Sequence, residues 1–171
     1  MIWILQVLVS VIFFANKLLI LAGKKTGWLV GVVAATLAVV YFFIIELYVY
    51  TGLEFGLIVL MSYGYLKRDG EGKPWVETSI RFVTVIIMIA LAYFAFAGMM
   101  TVIELASSIG LLGGTYLLTH EKVAWGWALS ILAHLLAAIL GFDKEQSIFA
   151  VFQLASAVIS LAGVAKECHD N

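Results

Sequence analysis

Cysteine, proline and charge are all scarce in this chain. Its 171 residues include one cysteine and one proline, and only 12% of them are charged. Cys168 stands alone, which excludes an internal disulfide and a cysteine-based zinc site. Pro74 falls in the polar stretch 67–75, so no candidate span carries a helix-breaking proline. A net charge of −1 gives no basic field for nucleic acid. Long polar segments are missing as well. Nothing between the apolar runs is long enough to fold alone, so no catalytic domain fits outside a membrane. No Gly-x-Ser-x-Gly elbow or His-Glu-x-x-His helix is present, and an enzyme is not expected. One intramembrane histidine and two distant carboxylates do not make a metal site, and no metal or cofactor is expected.

What the chain has is apolar residue, at 64% of the total and a mean hydropathy of +1.09. A soluble domain carries about 45–50% apolar and about 25% charged residues. Lipid must therefore solvate much of the surface. A spanning helix needs ~20 apolar residues, and seven runs qualify, at roughly 2–22, 27–47, 51–67, 77–97, 100–119, 124–141 and 146–166. Residues 1–23 have no basic segment ahead of the apolar run, and Lys24 and Lys25 follow it. That pattern reads as a first membrane helix rather than a signal peptide.

The basic residues set an expected orientation. If the 67–75 loop is cytoplasmic, then Lys17, Lys24, Lys25, Lys67, Arg68, Lys73, Arg81, Lys122 and Lys166 all lie on or near that side, and only Lys144 does not. This predicts a multi-pass protein of the cell inner or plasma membrane, N-terminus outside and C-terminus cytoplasmic.

Sliding the chain against itself by 99 positions pairs Trp28 with Trp127, Glu46 with Glu145, Gly64 with Gly163 and Lys67 with Lys166, and sets Glu54 against Gln153. An odd number of spans separates the two halves, so they enter from the same side as parallel repeats, a known transporter arrangement. The expected fold class is an all-α integral membrane protein, with seven transmembrane helices as two parallel three-helix repeats joined by a linker helix (3+1+3). The first repeat covers 1–67, the cytoplasmic loop and linker helix cover 68–98, and the second repeat with a short tail covers 99–171.

The segment Leu47-Tyr48-Val49-Tyr50-Thr51-Gly52-Leu53-Glu54, then Leu57 to Leu60 and Tyr63-Gly64-Tyr65, resembles a pattern of the PnuC-type vitamin transporters. That pattern is Leu-Tyr, a Leu-Gln step, an apolar run and a Tyr-Gly-aromatic ending. The stretch from Trp125-Gly126-Trp127 to Gly163 is similar to the same family's Trp-led closing unit. Glu54 stands where that family usually shows Gln. The SWEET sugar transporters share the 3+1+3 plan but typically carry prolines in each repeat, which this chain lacks. The resemblance implies a facilitator for a small polar metabolite, a vitamin or nucleoside such as nicotinamide riboside. The alternatives are a SWEET-like sugar transporter, or a membrane-embedded vitamin-binding subunit or receptor without transport of its own. The expected partners are the small-molecule substrate and the lipid bilayer, and a homo-oligomer is compatible with this reading.

Ionisable groups inside a membrane mark pathways, because each costs roughly 2.5–3.5 kcal/mol at mid-helix. Glu54, Glu104 and His134 qualify, with Gln153 at the repeat-equivalent depth of Glu54 and Gln6 near the depth of Glu104. The expectation is one outward-opening polar cavity lined by these five. In it Glu54 and Gln153 hydrogen-bond ribose or sugar hydroxyls from opposite sides. The bland reading puts Glu54 and Glu104 against headgroups and lets His134 bond a neighbouring helix. Trp28 and Trp127 are candidates for stacking on a ligand ring, against an aromatic-belt reading that suits Trp125 better. Gly27, Gly31, Gly52, Gly56 and the 110–114 run would allow close helix approach or hinge motion.

Overall fold

The computed structural model describes residues 2–68, 74–98, 101–120 and 122–170. Among them are seven helices and no strand: α1 (Ile2–Leu21), α2 (Thr26–Ile44), α3 (Tyr48–Lys67), α4 (Pro74–Phe96), α5 (Val102–Thr119), α6 (Val123–Asp143) and α7 (Ser147–Asp170). All seven are long and apolar enough to cross a bilayer. Most of the 67–75 loop expected from the sequence, positions 69–73 with Lys73, lies outside the described residues.

Six helices close a ring. α2 packs between α1 and α3, α6 packs between α5 and α7, and the two trios meet where α1 touches α7 and α3 touches α5. α4 touches only α3 and α5. It lies outside the ring on that seam, with 11% of its span buried against 28–50% for the others.

Polarity runs inside out relative to a soluble protein. Trp3, Phe43, Tyr48, Trp75, Phe82, Tyr93, Phe96 and Trp125 are exposed, whereas Gln6, Ser10, Asn16, Lys17, Glu54, Ser107, Ser108, His134 and Ser160 are buried. A helix satisfies its own backbone, so an apolar outer face suits lipid, and polar side chains then find partners only inward.

The local reasons for these elements recur in both trios. α2 and α6 each end in a turn where a glutamate takes the left-handed conformation, Glu46 at φ 61° and Glu145 at φ 58°. The backbone bonds match position for position. Glu46 N donates to Phe43 O and Leu47 N to Phe42 O, while Glu145 N donates to Phe142 O and Gln146 N to Gly141 O. These bonds return orphan helix-end carbonyls to partners and swing the chain straight into the next helix. At the opposite ends, Trp28 lies on Gly64 and Trp127 lies on Gly163, so closely that a Cβ at either glycine would strike the indole ring. α5 starts on a capping box: Glu104 N donates to Thr101 Oγ1 at 3.1 Å, and Thr101 N donates to Glu104 Oε2 at 2.6 Å.

A polar cluster ties α4 to the ring. The His120 ring stacks on Tyr116 and tilts against Tyr63, and its Nε2 lies 3.6 Å from Glu77 Oε1. Glu77 in turn holds Arg81 one turn further along α4.

Candidate functional site

The ring encloses a cavity of about 30 Å³ lined from five helices: Phe13 and Lys17 of α1, Tyr50, Glu54, Leu57 and Met61 of α3, Leu111 and Thr115 of α5, His134 of α6, and Phe149, Gln153 and Ser156 of α7. Glu54 and Gln153 each stand six residues into their helices, roughly 9 Å below the starts of α3 and α7 at 1.5 Å per residue. The two therefore face the cavity at the same level from opposite trios.

Two polar atoms in this wall have no partner. His134 Nδ1 donates to Gln153 Oε1 at 2.6 Å, which fixes the proton on Nδ1 and leaves Nε2 as a buried free acceptor. Glu54 Oε2 is likewise buried without a hydrogen bond. Buried polar atoms are paired in most proteins, so two orphans on residues lining one cavity suit a site that water or a ligand completes.

Lys17 is the residue that sequence reasoning missed. Expected among the cations at the cytoplasmic boundary, it is 6% exposed and lines this cavity, with Nζ 5.8 Å from the centroid of the Trp127 ring. Its position within the first apolar run, before Lys24 and Lys25, was the available signal. A boundary lysine would sit beside those two.

The other expected residues do not join this cavity. Glu104 lines a separate cavity of about 150 Å³, together with Glu46, Leu47, Tyr48, Val49, Tyr50 and Phe94, and its carboxylate is held in the α5 cap. Gln6 reaches the α6–α7 turn instead, where its Nε2 donates to Gln146 Oε1 at 2.9 Å and the Tyr41 hydroxyl donates to the same oxygen at 2.5 Å. Trp28 and Trp127 are buried at the other end of the ring. There they line a cavity of about 180 Å³ with Leu118, Arg68 and Lys166. Asn16 acts as interhelical glue, its Nδ2 donating to Gly27 O at 2.8 Å. Gly52 faces open space, so it supports no close approach.

Tyr50 is the partition between two of these spaces, lining both the central cavity and the Glu46–Glu104 cavity. Its hydroxyl lies 2.5 Å from Ser107 Oγ, and Ser107 Oγ donates to Glu104 O at 3.1 Å. The tyrosine is therefore the donor of the pair, and the bond joins α3 to α5. Phe42 packs against both Tyr50 and Phe149, which completes an aromatic layer above the cavity. On the other side, the Trp28 and Trp127 layer closes it. A water needs about 10–15 Å³, so the cavity has room for a water and is too small for a riboside.

No protein-family model, curated protein or solved structure matches the chain. Among the described residues no group of histidine, cysteine or acidic side chains converges to hold a metal.

Proposed function

We propose that this chain is a membrane carrier for a small polar metabolite, bound in the central cavity between two parallel three-helix units, α1–α3 and α5–α7, with α4 as their linker. The observation that carries the reading is the pair of unpartnered buried polar atoms, Glu54 Oε2 and His134 Nε2, on residues that line one cavity within an apolar ring. A merely structural core would gain stability by replacing such groups with apolar ones.

Several features support the repeat. The contact of α1 with α7 becomes that of α5 with α3 when the units are exchanged. The left-handed glutamates, their turn hydrogen bonds and the Trp-on-Gly contacts all recur at a separation of 99. Parallel units around a central site suit a rocking carrier. In the expected orientation, N-terminus outside and C-terminus cytoplasmic, the Tyr50 layer faces out and the Trp28 and Trp127 layer faces in. Opening one layer at a time gives alternating access to an inner or plasma membrane carrier's site.

The resemblance to PnuC-type transporters makes a vitamin or nucleoside such as nicotinamide riboside the first substrate to try, with a sugar as the SWEET-like alternative. The test uses the purified chain alone in liposomes preloaded with unlabelled solute, and follows entry of the labelled form. Exchange by the wild type, and its loss in Glu54→Gln at unchanged folding, is the expected result. Binding without exchange would instead make the chain a binding subunit or receptor. Normal exchange by Glu54→Gln would remove that residue from the mechanism.

A further inference from the structure

The wall of the central cavity carries a basic and an acidic side chain that do not meet. Lys17 on α1 and Glu54 on α3 are 6% and 3% exposed and line the same space. They form neither an ion pair nor a hydrogen bond with each other. The lysine Nζ stands 5.8 Å from the Trp127 ring centroid and within electrostatic reach of His134, and Glu54 Oε2 has no partner. Charges taken from water without a counter-charge are costly, and removing the cost needs an opposite charge in hydrogen-bonding geometry. Each group is thus complementary to a charge that a ligand would bring.

The two are set at different levels. Glu54 is roughly 9 Å below the start of α3, whereas Lys17 is roughly 6 Å from the far end of α1. Helical side chains lean towards the N-terminus, which carries the lysine chain up towards the cavity. A bound solute therefore presents donors at the Glu54 level, where His134 Nε2 offers a second acceptor, and an anionic acceptor at the Lys17 level.

Other classes of solute fit this wall less well. A hydroxyl-only solute serves Glu54 and His134 and leaves Lys17 without a counter-charge. A simple anion serves Lys17 and leaves Glu54 unmatched, and it would meet Glu46 and Glu104 in the adjoining cavity. A simple cation has the opposite defect. A zwitterion matches both ends while the site as a whole stays neutral.

We propose that the central cavity takes a small zwitterion of the amino-acid type, its ammonium donating to Glu54 and His134 and its carboxylate accepting from Lys17. This rests on the carrier reading and narrows its substrate class. The experiment uses the full chain in liposomes, with the twenty common amino acids tested singly beside lactate, ethanolamine, ribose and nicotinamide riboside. Exchange of labelled solute and the shift in melting temperature are both recorded. An amino acid is expected to exchange about tenfold or more faster than lactate, ethanolamine or ribose. Lys17→Met should slow amino-acid exchange by about 30-fold or more and turn the preference towards ethanolamine. Glu54→Gln should turn it towards lactate. A purely structural lysine would not reverse charge preference in this way. If either variant fails to fold, the wild-type ranking of amino acid, lactate and ethanolamine still decides. Exchange of ribose or the riboside with no response to any amino acid would overturn the zwitterion and leave the carrier standing. No exchange and no melting shift with any probe would overturn both.

Discussion

Adding one methyl group at Gly64 or Gly163 tests whether the two Trp-on-Gly contacts are built as tightly as they look. At Gly163 a Cβ would lie 2.5 Å from Cδ2 and 2.6 Å from both Cε2 and Cγ of Trp127. At Gly64 it would overlap Cε3, Cδ2 and Cζ3 of Trp28. Carbon atoms rest about 3.5–4.0 Å apart, so each methyl intrudes by about 1 Å. The obstacle is a rigid ring rather than the end of a flexible chain, and both indoles are only 2% exposed, so neither can swing into lipid. Overpacking of this kind costs about 1–3 kcal/mol. A helix-interior Gly→Ala change returns about 0.5–1 kcal/mol, so the net loss is about 0–2.5 kcal/mol. At about 2–4 °C per kcal/mol for a chain of this size, Gly64→Ala and Gly163→Ala should each melt up to about 10 °C below wild type in detergent. Gly52→Ala is the control. No atom lies within 4 Å of its added Cβ, and a mid-helix Gly→Ala change is worth about 0.5–1 kcal/mol of added stability. Melting of both tryptophan-contact variants at or above the wild-type temperature would refute the packing argument.

Three further perturbations follow from local geometry. Glu46→Gly and Glu145→Gly relieve a left-handed conformation that costs a side-chain-bearing residue about 1–2 kcal/mol, so each should raise the melting temperature; a fall in both would contradict the turn assignment. Thr101→Ala removes the α5 cap and should cost about 1 kcal/mol, with faster amide exchange at the start of α5 as the local readout. Gln146→Ala deletes the oxygen shared by Gln6 and Tyr41 and should cost about 1–3 kcal/mol. An unchanged melting temperature there would mean that these bonds hold nothing together.

Seven helices were legible because twenty-residue apolar runs have one physical outcome in lipid, but their ends were less so. α2 was expected to run on to 47 and stops at Ile44, since the turn is made by Glu46 in a conformation that usually marks glycine. α4 starts at Pro74, three residues before the expected 77, because a proline at the first helical position gives up no needed N–H. Within the site, Glu54, Gln153 and His134 could be read from sequence because polar groups stand out against apolar neighbours. Lys17 gave a weaker signal: its place inside the first apolar run, ahead of Lys24 and Lys25, set it apart from a boundary anchor, but only the fold shows which face it occupies. Glu104 was misplaced although the signal was present: Thr101-x-x-Glu104 is a capping box, and a cap holds its carboxylate at a helix end. Gln6 and the Tyr50–Ser107 bond depend on which helices become neighbours, and no local pattern encodes that.

The central claim, a site reached from both sides of the membrane in turn, is tested most directly by chemical access to the cavity. Ser156 lines it and is 4% exposed, and Cys168 is the only native thiol to remove. The Ser156→Cys, Cys168→Ser chain, placed in sealed vesicles of known orientation, would be treated with a membrane-impermeant thiol reagent from one side and then the other. Modification from both sides is expected, slowed by a solute that the protein exchanges. Reaction from one side only, or from neither, would contradict it.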